Sequence, residues 1–318
     1  MAQPDFLPNA TIETLRARSG IIKRIREYFD QLGFFEVQTP TLSRDTVVDR
    51  YIEPLAMEVK LPNGNGPDLF FLQTSPEFAT KRLLTAGAEA IYQIGPAYRA
   101  DEVGKLHNIE FTMLEWYRTG DTYQQGMDLL DDFSQKILGR EPATRLTYQQ
   151  AIELSSGIDL STEEGVAEFE QWQFQFQTTD FSQMLDERIE PKLRELKTVI
   201  LYDWPSEQAA LAKIRQDRQG EHGSYAERFE LYIDGIEIAN GYHELTDPNE
   251  LLRRNRTADV QRQNDKRARL PVESRMLDAM RHGLPDSCGV ALGIDRLVMM
   301  ALGKTNISDV MAFDIHRA

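Results

Sequence analysis

Residues 229–245, FELYIDGIEIANGYHEL, set an Asp-Gly pair between two runs in which apolar and polar side chains alternate. Two period-two runs separated by two residues that tolerate positive φ read as a β-hairpin, with Asp234-Gly235 as its turn. A hairpin commits a chain to antiparallel pairing, and the rest of the sequence supplies partners. AIYQIGPAY (90–98) and IEFTMLEWYR (109–118) read as two more strands, joined by RADEVGKLHN. FFEVQTP (34–40) reads as a short strand ended by Pro40, and LFFLQ (69–73) and TVILYDW (198–204) as buried strands. CGVALGIDRLVMMAL (288–302) reads as a Gly-bearing strand running into an apolar helix.

Helical periodicity fills the gaps. Ile12, Leu15, Ile22, Ile25, Phe29 and Leu32 recur at helix spacing over 11–32, with Gly33 as a stop. TSPE (74–77) reads as a helix start whose helix runs to Gly87, and residues 121–138 and 179–196 read as helices. LPNGNGPD (61–68) reads as an exposed loop. Strands with hairpin signals and interspersed helices predict an α+β fold with a largely antiparallel sheet. With no internal repeat and no low-complexity linker, residues 1–318 are expected to form a single domain.

Composition narrows the function. At 41% hydrophobic residues the chain supports a sizeable core. Its one cysteine, Cys288, excludes an intrachain disulfide and a multi-cysteine zinc site, so a metal site would use oxygen or the five histidines. No basic region followed by an apolar run opens the chain, and no apolar run approaches the ~18 residues of a membrane span, so a cytoplasmic protein with no membrane contact is expected. The net charge of −15 argues against a nucleic-acid partner. The basic stretch at 253–269 reads as a solvated helix face rather than a docking surface.

Two features bear on chemistry. In IEFTMLEWYR, alternation puts Ile109, Phe111, Met113, Glu115 and Tyr117 on one face, so a single carboxylate stands among apolar and aromatic side chains. Such a group needs a cation, either within the core as a structural salt bridge or on a ligand. Glu237 and Glu244 are seven apart and would face opposite sides of an unbroken strand. A turn or bulge at Asn240-Gly241 would reset the parity and let both reach one cavity; the alternative is a plain turn with one glutamate in solvent. Arg99 follows a strand and Arg296 opens a helix after glycines, both suited to phosphate oxygens and stacking, with Phe111 as a stacking partner. There is no phosphate-cradling glycine loop, so side chains would have to hold any nucleotide. His107 and His243 lie beside these candidates in sequence.

FFEVQTP, YRADE with HNIEF, and GVALGIDR resemble motifs 1, 2 and 3 of class II aminoacyl-tRNA synthetases. TSPE, HNIEFTMLEWY and GIEIANGYHEL are similar to the lysine and ATP sites of the lysyl branch, and the resemblance runs from about residue 11 to the end. Only one helix precedes FFEVQTP, which leaves no room for an N-terminal OB-fold. The pattern is therefore closest to the short, tRNA-independent paralogues that attach (R)-β-lysine to a lysine of translation elongation factor P. Those paralogues have Ala where lysyl enzymes have Gly, here Ala291.

The resemblance implies an ATP-dependent ligase working through an acyl-adenylate. Ser75, Pro76, Glu77, Glu115, Tyr117, Asn240, Glu244 and Ala291 would line the amino-acid pocket. Arg99, Ala100, Asp101, His107, Asn108, Phe111, Glu237, Ile238, Gly293 and Arg296 would hold ATP, with Arg99 on the α-phosphate and Phe111 and Arg296 sandwiching adenine. Glu237 and Glu244 would be the Mg²⁺ ligands, and Arg99, Arg296, Glu237 and Glu244 the catalytic set. The family has Glu where Asp101 stands, which makes Glu102 an alternative, and Pro where Ile109 stands. The expected partners are elongation factor P and β-lysine or lysine, without tRNA, in a homodimer. A truncated lysyl-tRNA synthetase charging tRNA and a catalytically silent amino-acid-binding regulator are the alternatives.

Overall fold

The alternation of residues 109–118 becomes a long strand whose two faces organise the N-terminal half of the fold. The computed structural model describes residues 6–62, 66–159, 162–165, 167–169, 185–216 and 224–318. Internal contacts divide the chain into two compact units, Met1–Asp121 with Leu245–Ala318, and Thr122–Glu244. In chain order the first unit contributes α1 (Ile12–Gln31), β1 (Phe35–Glu36), β2 (Leu42–Ser43), β3 (Ala56–Lys60), β4 (Pro67–Leu72), α2 (Glu77–Thr85), β5 (Ala90–Tyr98) and β6 (Glu110–Thr119). The second contributes α3 (Tyr123–Leu138), β7 (Thr144–Thr147), α4 (Tyr148–Ser156), α5 (Glu190–Leu196), β8 (Thr198–Pro205), β9 (Ile214–Gln216), β10 (Ser224–Ile233) and β11 (Ile236–His243). The first unit then adds α6 (Pro248–Asn264), α7 (Arg275–Gly283), β12 (Ser287–Gly293) and α8 (Ile294–Ala301).

In the first unit the strand order is β1-β5-β6-β12, with β1 parallel to β5 and the other two pairings antiparallel. Tyr92, Leu114, Trp116 and Val290 share one face, because Tyr92 and Val290 both pair with Trp116. That face is the core. Phe29 of α1 stacks on Tyr92 with centroids 4.8 Å apart and reaches Trp116 at 5.2 Å. Burying each such aromatic side chain contributes about 2–3 kcal/mol. The Thr11 hydroxyl caps α1 by accepting from the Thr14 N–H at 3.1 Å. The helix over 11–32 is as expected, but its inward stripe runs through Ile21, Ile25 and Phe29, while Ile12 and Leu32 stand exposed. FFEVQTP gives a strand of only Phe35–Glu36. A second small sheet, in order β2-β4-β3, lies in the same unit.

The second unit orders its strands β11-β10-β8-β7, with β7 parallel to β8 and β9 paired to the start of β10. Its core gathers Tyr148, Ile152, Leu193, Val199, Leu201 and Trp204. Thr122 and Gln125 form a capping box at the start of α3, and Gly139 closes that helix in the left-handed region. Of the expected helix at 179–196, residues 185–196 are helical and 179–184 lie outside the described residues, as do 63–65 of the expected loop.

Two expectations need correction. The hairpin turn is as read, with Asp234 at φ 50 and Gly235 at φ 78. The bulge, however, is not at Asn240-Gly241, which pair in register with Glu230 and Phe229. Pairing slips between Leu231↔Ala239 and Tyr232↔Glu237, so Ile238 is the extra residue. The basic stretch is likewise not all solvated. Arg262 is fully buried, bonding the Asp49 and Ile52 carbonyls at 3.0 Å and the Glu53 carboxylate at 2.7 Å.

A methyl on Gly235 would lie 2.8 Å from the Glu190 carbonyl oxygen, at a φ that disfavours any side chain. Gly20, exposed in mid-helix, has nothing within 4 Å of such a methyl. Gly235→Ala should therefore destabilise by about 1–3 kcal/mol and Gly20→Ala stabilise by about 0.5–1 kcal/mol, read as opposite shifts of the urea midpoint.

Candidate active site

Each unit carries a buried acidic cluster. In the first, the face of the sheet opposite α1 carries Glu115, with Gln93 and Ala291 directly beside it on β5 and β12. The β12 side chains on this face are those of Gly289, Ala291 and Gly293, so the sheet is left low where a neighbouring strand would otherwise project bulk. Glu115 is 1% exposed. The Ser75 hydroxyl donates to its Oε1 at 2.6 Å and the Tyr117 hydroxyl to its Oε2 at 2.8 Å. Ser75 is fixed in turn by the Glu77 N–H, which donates to its Oγ at 3.0 Å. It is thus Ser75, with Pro76 at the cap position, that organises the start of α2.

Glu77 pairs with Lys81 one helical turn on, and both are buried. The Lys81 ammonium also lies 6.0 Å from the Tyr117 ring centroid. Sequence reasoning missed Lys81, although its spacing of four from Glu77 was visible. Burial, then the charge of Glu77, push the Glu115 carboxyl up to about 8; the Ser75 and Tyr117 hydroxyls and Lys81 hold it back. The salt-bridge reading of this cluster thus fits Glu77. Glu115 keeps two hydroxyl partners and a raised affinity for a proton.

The expected ATP residues of the first unit cluster around the β5–β6 loop. The Arg99 guanidinium lies 5.2 Å from the Phe111 ring centroid and 3.6 Å from Glu102. Arg296 donates to the Leu106 carbonyl at 3.2 Å and meets His107 Nε2 at 2.5 Å, which makes that ring nitrogen the acceptor. Gly293 precedes α8, and a methyl there would approach the Arg296 side chain at 3.9 Å. Glu102 sits with Arg99 and His107, whereas the Asp101 side chain is 69% exposed and faces Arg267 at 3.7 Å. Ala100 bonds its N–H to the Glu53 carbonyl at 2.8 Å. Asn108 spends both ends of its amide on the backbone, donating to Glu110 at 2.7 Å and accepting from Ile315 at 3.0 Å.

In the second unit the bulge at Ile238 does the work expected of Asn240-Gly241. Glu237 pairs opposite Tyr232 and Asn240 opposite Glu230, so all four share one face of the hairpin. Alternation from Asn240 through Tyr242 brings Glu244 to that same face. Glu244 is 1% exposed and Ile238 is buried. A residue the sequence did not single out, Glu230, is buried at the centre. It pairs with Arg228 and accepts from the Tyr232 hydroxyl at 2.6 Å and the Asn240 amide at 2.9 Å. Burial pushes its carboxyl up to about 7, with Arg228 pulling it down and Glu237 pushing it up. Only the hairpin register, which sets it opposite Asn240, could have found it. His243 points the other way, to Glu227 and, at 3.4 Å, to Lys213.

Glu115 gives a signed pH dependence. Its folded value near 8 lies above the ordinary carboxyl value, so the folded chain holds a proton that the unfolded chain releases. Its contribution is intact below about pH 4.5, falls as pH rises from there towards 8, and levels off above. Glu115→Gln removes this titration. Its stability relative to the natural protein should grow by more than about 2 kcal/mol between pH 5 and pH 8 in chemical unfolding. A constant difference would mean that Glu115 is ionised in the free protein.

Residues 5–317 match the family described as tRNA synthetases class II (D, K and N). The chain is 39% identical over 329 residues to the elongation factor P (R)-β-lysine ligase of Vibrio cholerae, covering all of both chains. The ligases of that name from Yersinia enterocolitica and Actinobacillus succinogenes are 39% and 40% identical, each over 98–99% of both chains. A match over nearly the full length, on an α+β fold of mostly antiparallel strands, establishes that this chain belongs to the class II tRNA synthetase family of the D, K and N type.

Proposed function

We propose that the chain is an ATP-dependent ligase that activates (R)-β-lysine as its adenylate and transfers it to a lysine ε-amine of elongation factor P. The full-length likeness to ligases of that name supports the reaction. The observation that carries the substrate class is Glu115, a buried carboxylate with two hydroxyl donors and a raised affinity for protons, on a sheet face kept low by Gly289, Ala291 and Gly293. It suits the amine of a small cationic amino acid. No helix among the described residues is long and apolar enough to cross a membrane. Residues 1–318 are taken as one catalytic domain working as a homodimer.

On this reading a carboxylate oxygen of the amino acid attacks the α-phosphorus of ATP and the bond to pyrophosphate breaks. The lysine ε-amine of the protein substrate then attacks the adenylate carbonyl, AMP leaves, and an amide forms. The chain supplies no nucleophile. Arg99 and Arg296 neutralise charge building on the phosphates, and the carboxylates orient the amines. Ser75, Glu77, Tyr117 and Ala291 shape the pocket around Glu115. Gly293, Phe111 and the loop carrying Ala100, Glu102, His107 and Asn108 border the nucleotide, with Glu102 rather than Asp101 beside Arg99.

Mg²⁺ fits the donors present. Among the described residues no group of three His, Cys, Asp or Glu side chains could cage a metal alone, whereas Glu237 and Glu244 share one face. One or two carboxylates completed by phosphate oxygens is the ordinary arrangement for this ion, which supplies Lewis-acid stabilisation of the phosphates when bound.

Incubating elongation factor P with the protein, ATP and each lysine isomer should yield the β-lysyl adduct by mass spectrometry, with no charging of tRNA. Charging of tRNA instead would identify a lysyl-tRNA synthetase, and no turnover with any acceptor a silent regulator. Glu244→Gln should lower amino-acid-dependent ATP–pyrophosphate exchange by more than about 100-fold, as loss of a buried charge contact to the reacting complex predicts.

A further inference from the structure

The inward stripe of α1 does not end with its apolar residues. Arg18 stands three before Ile21 and seven before Ile25, the spacing at which one helix face repeats, so its side chain turns towards the sheet with theirs. There it meets Asp295 in the first turn of α8, a carboxylate that is 1% exposed. Arg18 Nη1 donates to Asp295 Oδ1 at 2.5 Å, and its Nη2 donates to the Thr112 hydroxyl at 2.8 Å. The Thr112 N–H donates to Asp295 Oδ2 at 2.6 Å, which closes the ring.

The ladder explains the last bond. β12 pairs with β6 as far as Gly293 opposite Met113 and then turns into α8. Thr112 lies one residue beyond that ladder, and its N–H goes to the Asp295 carboxylate in place of a strand. Both carboxylate oxygens are thereby spent on donors, as the burial of a charge requires.

The places of these residues in the chain set the ring apart from an ordinary core ion pair. Thr112 follows Phe111, and Asp295 precedes Arg296. Phe111 and Arg296 are the side chains that the ligase reading sets on the two sides of adenine. By alternation Thr112 turns to the core face of β6 and Phe111 to the other, so the ring sits behind the adenine clamp and ties its two halves together.

We propose that Arg18 is a positioning residue for ATP: by bridging Asp295 and Thr112 it fixes the spacing of Arg296 and Phe111. The inference rests on the ligase reading above and adds to it a residue of α1 that acts only through others. A guanidinium suits this task because its planar fork reaches a carboxylate and a hydroxyl at once, which the point charge of a lysine does not.

The test is amino-acid-dependent ATP–pyrophosphate exchange, with KM measured separately for ATP and for the amino acid. Arg18→Met should raise KM for ATP about tenfold, the equivalent of one charge-assisted hydrogen bond, and leave KM for the amino acid within about twofold. Arg18→Lys keeps a charge for Asp295 and gives up Thr112. Its urea midpoint should stay close to that of the natural protein while KM for ATP still rises by more than about threefold. Thr112→Val keeps the branched shape without the hydroxyl and should raise KM for ATP alone, whereas Thr112→Ser keeps the hydroxyl and should stay within about twofold of the natural protein. Calorimetric titration of ATP gives the same comparison without turnover.

A rise shared equally by both substrates, or KM values for ATP that merely follow the urea midpoints, would mean a structural ion pair only and overturn the positioning role. An unchanged KM for ATP in both Arg18→Lys and Thr112→Val would overturn it as well. If the natural protein binds ATP but supports no exchange with either lysine isomer, the ligase reading falls, and the ATP titrations of the same variants still decide the role of Arg18.

Discussion

The pairing register of β6 decides what each part of the first unit is for. With Trp116 set between Tyr92 and Val290, and Glu115 between Gln93 and Ala291, one face is delivered to α1 and the other carries the carboxylate. A slip of one residue would exchange the two sets, sending Trp116 out and Glu115 under Phe29. The aromatic contacts with α1 make that exchange costly, so the same packing that stabilises the core keeps the carboxylate on the opposite face. Here stability and site placement come from one constraint.

The second theme is how buried carboxylates are distributed among partners. Glu77 has Lys81, and Glu230 has Arg228; each is an acid with its own cation, arranged as structure. Glu115 has hydroxyls as its hydrogen-bond partners, and the charge of Lys81 also acts on it. Removing an ion from water costs several kcal/mol, and hydroxyl donors recover only part of it. The remaining cost is met by the proton that the folded chain holds on Glu115, whose carboxyl burial pushes up to about 8. This separates Glu115 from Glu77, which is paired with Lys81, although both lie in the same motif-bearing region.

Much of this was legible in the residues. Alternation alone put Glu115 and Tyr117 on one face, and Asp234-Gly235 marked the turn, because both features depend only on local backbone period and on a φ that few residues accept. The bulge was misplaced because Asn-Gly tolerates positive φ and so attracts the reading, yet neither residue adopts it. Asn240 is held extended by its ladder pairing opposite Glu230, and the extra residue is the buried Ile238, which carries no local signal. Arg262 was read as solvated because a run of charge looks alike whether its members face water or backbone carbonyls from two hundred residues away. The short strands β2, β3, β7 and β9 were missed because their pairing is tertiary rather than periodic.

On the ligase reading, the choice between α- and β-amino acids concerns the position of an amine by one carbon. The Ala291 methyl stands directly beside Glu115 and is well placed to feel such a shift. One methyl in a pocket, however, discriminates by only about 1–3 kcal/mol, because the surroundings adjust. A polar group built to receive an N–H discriminates more sharply, since the wrong isomer leaves it buried and unpaired.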